Sequence, residues 1–153
     1  MNTWLVLAAG IGSGVLGGFY IAFSLVVMPA LRLRPRDEAT ATMGAINRAA
    51  AQAPFMVLFF GTAVLCVATA LNAFFYTQLA SDWPLIGALL SLAGTFLTMV
   101  VNVPLNNQLA QDNVRLWQRY ERSWTRANHV RAVLSVAGAV VLLMPMGVPP
   151  DFS

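Results

Sequence analysis

The chain has 153 residues, of which 58% are hydrophobic and only 10% are charged. Soluble domains carry about 25% charged residues, and a water-soluble fold this apolar would expose large hydrophobic patches, so we expect a membrane protein. The net charge of +3 does not indicate nucleic-acid binding, because no basic segment is combined with base-stacking aromatic residues.

Four apolar runs are each close to the ~20 helical residues that cross a bilayer core. They cover roughly residues 4–28, 54–76, 83–103 and 129–146. The runs predict an all-α fold, in which residues 1–153 form a single membrane domain built as an integral membrane four-helix bundle. The lipid bilayer is therefore the first expected partner.

All nine basic residues are arginine, and they group in or beside the first and third connections between the runs. They are Arg32, Arg34, Arg36, Arg48, Arg115, Arg119, Arg122, Arg126 and Arg131. Because cytoplasmic loops of membrane proteins carry the excess of arginine, both connections should lie in the cytoplasm and both termini outside it. The prediction is a multi-pass protein of the plasma (inner) membrane.

The first run contains GSGVLG at residues 12–17, which matches the G-x-G-x-x-G pattern of dinucleotide-binding folds. That pattern needs a preceding strand, whereas here it lies inside an apolar helix, so we favour helix packing. Gly10, Gly14 and Gly18 recur every four residues and leave one face without side chains. This face is a candidate contact with another helix, including that of a second copy in a homo-oligomer.

The first connection, from Pro35 to Gln52, has the pattern of an amphipathic helix. A proline followed by Asp37 and Glu38 suits a helix start. We expect this helix to lie across the cytoplasmic mouth of the bundle, where Asn47 could reach a site between the membrane helices.

The third run ends in VNVPLNNQL at residues 101–109, where three amides surround Pro104. The polar residues before it are spaced by four, three and four, which places them on one helix face: Ser91, Thr95, Thr98 and Asn102. Such hydroxyls commonly hold membrane helices together, at about 0.6 kcal/mol each, and we favour that role for them. Pro104 either kinks or ends the helix, which would turn Asn106 inward.

The segment before the fourth run has two unlike faces on a helical wheel. One carries Arg115, Arg119, Arg122 and Arg126, and the opposite one carries Trp117, Glu121, Trp124, Asn128 and Arg131. We expect one helix from about Asp112 into the membrane. An arginine just inside a span needs a partner or water. Arg131 and the amides Asn102, Asn106 and Asn128 fall at one depth, so they form either a functional site or a structural network.

The chain offers few groups for proton transfer or metal binding. It has one histidine, one cysteine and six carboxylates, and the carboxylates all lie outside the apolar runs, so no metal site is predicted. Two candidate proton acceptors remain: His129, which falls on the arginine face, and Glu121, which an arginine could neutralise.

Four motifs together resemble one family. VMPAL ends the first run, AIN lies in the first connection, NVPLN ends the third run, and W-x-x-x-N-x-x-R leads into the fourth. Their residues, with a second tryptophan, are Pro29, Asn47, Asn102, Pro104, Asn106, Trp117, Trp124, Asn128 and Arg131. The pattern spans nearly the whole chain and is similar to that of the anthrone oxygenase family.

This resemblance implies a four-helix membrane oxidoreductase that converts a hydrophobic polycyclic anthrone to an anthraquinone with O₂ and no evident cofactor. On this reading the catalytic donors would be Asn102, Asn106, Asn128 and Arg131, the substrate-binding residues would be Trp117, Trp124 and Asn47, and the proton acceptor would be His129, Glu121 or water. The alternative is a non-catalytic membrane module that binds a lipid, a quinone or a partner subunit. A transporter is disfavoured, because the sequence has no inverted repeat.

Overall fold

The computed structural model describes residues 3–76, 82–111 and 116–144. This part of the chain forms five helices and no strand: α1 (Thr3–Arg32), α2 (Arg36–Ala50), α3 (Ala53–Tyr76), α4 (Trp83–Gln111) and α5 (Trp117–Leu143). The all-α prediction is therefore confirmed. The expected helix start near Asp112 lies outside the described residues.

Four of these helices, α1, α3, α4 and α5, are long and apolar enough to cross a membrane. Large apolar side chains such as Leu25, Phe74 and Phe96 point away from the bundle and are largely exposed. Such an outer surface is stable in lipid and would aggregate in water. The chain is thus a multi-pass membrane protein, as the apolar runs predict.

The remaining helix, α2, is amphipathic, as predicted. Its first turn carries Asp37 and Glu38, while Ala39 and Met43 are fully buried. These two side chains pack with residues of α1, α4 and α5 in one apolar cluster. The contacts hold α2 against one end of the membrane bundle, where it forms part of a cavity wall.

The centre of the bundle is α5, which packs most extensively against α1 and α4. Glycines allow these helices to approach closely: a Cβ at Gly17 would lie 2.8 Å from Val136 Cγ2, and one at Gly138 would lie 2.8 Å from the Gly87 carbonyl oxygen. The GSGVLG stretch, which includes Gly17, lies wholly inside α1, so it serves helix packing.

The proposed oligomer face of α1 does not have one common environment. A side chain at Gly10 would meet Leu143 of α5 at 2.7 Å, whereas one at Gly18 would meet nothing within 4 Å. Gly10 therefore packs inside the chain and only the Gly18 end faces outward. A homo-oligomer through Gly10, Gly14 and Gly18 stays a prediction.

Two of the membrane helices contain a wide π turn just before a proline. In α1 the turn is Phe23–Val27, followed by Met28 and Pro29; in α4 it is Thr98–Asn102, followed by Val103 and Pro104. The residue before each proline donates its N–H to the carbonyl five residues earlier. Both helices continue beyond the proline, so Pro104 does not end α4, which extends to Gln111.

Candidate functional site

A cavity of about 670 Å³ lies where α2 packs against the end of the membrane bundle, and all five helices contribute to its wall. This volume is within the range of small-molecule sites, about 300–1,000 Å³. Some lining residues, including Ala51, Asn107 and Ala110, are exposed, so the cavity opens to the surroundings. The predicted site residues on its wall are Asn47, Asn102, Asn106, Trp124 and Arg131.

Arg131 is the buried cation of this site, with 6% of its surface exposed. Its Nε donates to the Asn128 Oδ1 atom at 2.9 Å, and its Nη1 donates to the Thr98 hydroxyl at 3.4 Å. The guanidinium also lies over two aromatic rings, 4.2 Å from the centroid of Tyr20 and 5.0 Å from that of Trp124. Such cation–π contacts stabilise a cation without neutralising it.

Asn128 is completely buried behind Arg131 and is absent from the cavity wall. Its Nδ2 donates to the Tyr20 carbonyl oxygen at 2.8 Å and to the Ser24 hydroxyl at 2.7 Å. Both acceptors belong to α1, so this amide connects α1 to α5. Since its oxygen then faces Arg131, Asn128 fixes the orientation of the guanidinium.

Among the described residues, three polar atoms on the cavity wall are buried without a hydrogen-bond partner: the Thr40 hydroxyl, the Asn102 Oδ1 atom and the Trp124 Nε1 atom. The Asn102 Nδ2 atom does have a partner, the Trp124 carbonyl oxygen at 3.4 Å. A buried polar atom left unpaired costs about 1–3 kcal/mol. A ligand that offers a donor to Asn102 and an acceptor to Trp124 would remove this cost.

Asn106 is held from behind by a tyrosine that the sequence analysis did not select. The Tyr120 hydroxyl donates to the Asn106 Oδ1 atom at 2.9 Å, and Tyr120 itself is buried. This bond leaves the NH₂ group of Asn106 as the donor available to the cavity. Tyr120 precedes Trp124 by one helical turn, so the same wheel could have identified it.

Aromatic side chains form the apolar part of the wall. Phe19 lies between Phe23 and Phe55, with ring centroids 4.9 and 4.7 Å away, and Phe23 is 5.6 Å from Trp124. All four rings line the cavity. They give it a surface suited to a flat apolar ring system. The phenylalanines also escaped the sequence analysis, because apolar residues in an apolar helix carry no local signal.

Besides Asn128, three more of the predicted site residues lie away from the cavity wall. Trp117 is buried in the apolar cluster around Met28 and Leu109. Glu121 forms an ion pair with Arg32, and His129 is exposed on the outer face of α5. The arginine pairing expected for Glu121 is thus present, and neither candidate proton acceptor lines the cavity.

The described residues contain no group of three or more histidine, cysteine, aspartate or glutamate side chains that could hold a metal ion. The site is instead built from neutral amides, hydroxyls, aromatic rings and one buried guanidinium. Groups of this kind bind and orient an organic molecule that has oxygen substituents.

These features define a class: a multi-pass helical membrane protein with an aromatic, amide-lined cavity around a buried arginine. The family model of the anthrone oxygenases matches residues 55–141, which is more than half of the chain. The protein therefore belongs to the anthrone oxygenase family and is oxygenase-like in general character. No curated protein and no solved structure gives a significant match.

Proposed function

We propose that this protein is a membrane oxygenase that uses O₂ to oxidise a hydrophobic polycyclic aromatic of the anthrone type, without a cofactor. The observation that carries the proposal is the buried Arg131 beside the unpaired polar atoms of Asn102 and Trp124, in a cavity with aromatic walls. Family membership supports the oxygenase class, and the residues of the wall support the kind of substrate.

The chemistry of an anthrone suits such a wall. Loss of a proton from its methylene carbon gives an anion whose charge is spread onto the ring oxygen as a phenolate. The anion gives an electron to O₂, and the two radicals combine to a peroxide. The peroxide anion takes up a proton from water and then loses water to leave the ketone, so one oxygen atom of O₂ enters the product and the other leaves as water.

Each residue has a role that follows from its position. Arg131 and the amide of Asn106 stabilise the oxyanion, and Asn102 orients a hydroxyl of the substrate. Asn128 positions Arg131, and the Trp124 Nε1 atom offers a further donor to the oxyanion. Asn47 contributes a further polar group to the wall. Trp117 supports the core behind the site.

We propose that the cavity opens on the cytoplasmic side and that both termini lie outside the cytoplasm. The arginines Arg34, Arg36 and Arg48 at or near α2, and Arg119 and Arg122 on α5, are exposed at the end of the bundle that holds the cavity. The positive-inside rule assigns this end to the cytoplasm. A cysteine-accessibility scan with a membrane-impermeant reagent tests the assignment.

Oxygen consumption by the purified protein tests the oxygenase. The protein in lipid nanodiscs is mixed with an anthrone in air, and O₂ uptake is compared with that of empty nanodiscs, which measure autoxidation. We expect uptake well above autoxidation, reduced at least tenfold in Arg131→Ala and Asn106→Ala. Arg126→Ala, an exposed position on the same helix, is the matched control and should keep its activity.

Two results would contradict the proposal. The first is no uptake above autoxidation across a panel of anthrones and dihydroquinones. The second is equal uptake in wild type and Arg131→Ala. Saturable binding of such compounds without uptake would instead favour a non-catalytic binding module.

A further inference from the structure

The positive charge of Arg131 restricts the kind of ligand that the cavity can bind. The groups in contact with this guanidinium are the Asn128 amide oxygen, the Thr98 hydroxyl and two aromatic rings, and none of them carries a negative charge. Within the described part of the chain, its hydrogen bonds use Nε and Nη1, so Nη2 is left for a ligand. A buried cation without an anion is costly, even after the protein relaxes around it.

The rest of the cavity wall, as far as the structure describes it, supplies no counter-ion. Among its described residues none is aspartate, glutamate, histidine, lysine or cysteine, and the other charged one is Arg48 of α2. The titratable neighbours of Arg131 are Tyr20 on α1 and Tyr120 on α5, both buried and neutral at pH 7. Glu121 is already paired with Arg32.

We infer that the cavity takes its ligand as a monoanion, a phenolate or enolate of a flat aromatic, and that its described wall provides no proton acceptor. The inference rests on the proposed function and deepens it. The oxyanion pairs with Nη2 of Arg131 and accepts from Trp124 Nε1, while a neighbouring hydroxyl of the ligand donates to Asn102 Oδ1. The proton is lost to water before or during entry, so the protein selects the ionised form.

A probe that cannot be oxidised tests the anion preference without turnover. 2-Hydroxyanthraquinone has three fused rings and one phenol, lacks the reactive methylene, and changes its visible absorbance on ionisation. It is titrated with excess protein in nanodiscs. We expect the pH at which half of the probe is ionised, its midpoint, to be lower by at least about one unit with wild type than with Arg131→Gln. A shift of one unit corresponds to a tenfold preference for the anion.

Arg126→Gln, an exposed position on the same helix, is the matched control and should give the wild-type midpoint. A second comparison needs no variant, and it decides the question if Arg131→Gln fails to fold. Above the midpoint of the probe, wild type should bind the phenolate at least tenfold more tightly than 2-methoxyanthraquinone, its neutral ether. Equal binding of the two, or equal midpoints in wild type and folded Arg131→Gln, would overturn the inference.

The identity of the proton acceptor is tested separately, in an assay that measures turnover. Across a series of anthrones of different acidity, the inflection of the pH–rate profile should move with the acidity of each substrate. An inflection that stays at one pH would reveal a base on the protein and overturn this part of the inference. Since the probe titration uses no O₂, a failure of the oxygenase proposal and a failure of the anion site are distinguishable.

Discussion

Replacement of Asn128 by leucine tests the structural centre of the site. Leucine branches at the same carbon as asparagine but makes none of its three hydrogen bonds, which are with the Tyr20 carbonyl, the Ser24 hydroxyl and the Arg131 Nε atom. The side chain is 0% exposed, so water does not replace these bonds. Asn128→Leu should therefore destabilise the contact between α1 and α5 and release the guanidinium.

The size of the destabilisation follows from the kinds of hydrogen bond that are lost. Polar bonds between membrane helices contribute about 0.6 kcal/mol each on average. A hydrogen bond with a charged group contributes about 1.5–3 kcal/mol. Together the three bonds give a loss near 3 kcal/mol in the free energy of unfolding. For a chain of this length that loss lowers Tm by about 6–12 °C.

The lone cysteine gives a direct assay of this change. Cys66 is 1% exposed, and it is the single cysteine of the chain, so a fluorogenic thiol reagent reports its exposure on heating. The matched control is His129→Leu, the next residue along α5, whose side chain is exposed and whose replacement should cost less than about 0.5 kcal/mol. Equal melting temperatures for the two variants would refute the reasoning.

Two further substitutions test packing and positioning. Gly138→Ala should destabilise the protein by about 1–3 kcal/mol in the same thermal assay, because its Cβ would lie 2.8 Å from the Gly87 carbonyl oxygen of α4. Tyr120→Phe should lower kcat for O₂ uptake about three- to tenfold with little change in KM, because the Asn106 amide loses the bond that aims its donor at the oxyanion, about 1 kcal/mol.

Each of these substitutions has a matched comparison. Gly18→Ala, where nothing lies within 4 Å of the added Cβ, should be neutral or slightly stabilising, and a loss as large as that of Gly138→Ala would contradict the packing argument. If Tyr120 acts through Asn106, then Tyr120→Phe should add little to Asn106→Ala. Fully additive losses in the double variant would show that the two residues act independently.

The face of α5 that meets the bundle was predictable from spacing alone. In a regular helix the sequence fixes the direction of each side chain, and the structure confirms that Trp124, Asn128 and Arg131 are buried while Arg122 and Arg126 are exposed. A helical wheel does not show how far along the helix axis a side chain lies. Trp117 lies seven residues, or about 10 Å, before Trp124, so it points the same way but packs below the cavity.

The contacts that a side chain makes with other helices could not be predicted from the sequence, for a different reason. Glu121 could have paired with any of several arginines, and its actual partner, Arg32, comes from the end of α1. The cavity wall likewise depends on how α2 lies against four other helices, so Thr40 became a candidate only once the packing was known. Apolar wall residues such as Phe55 could not be predicted either, because the lipid-facing positions carry the same types of residue.

Pro29 and Pro104 relate the sequence pattern to the three-dimensional site. Proline lacks an N–H and normally breaks a helix, yet Pro29 and Pro104 each follow a π turn that restores backbone bonding with a wider ring. Such turns occur frequently at functional sites. Here the turn in α1 contains Ser24, which accepts from Asn128, and the turn in α4 contains Thr98, which accepts from Arg131. A proline soon after a polar residue near the end of an apolar run therefore marks, in this chain, the place where the helix widens to hold the site.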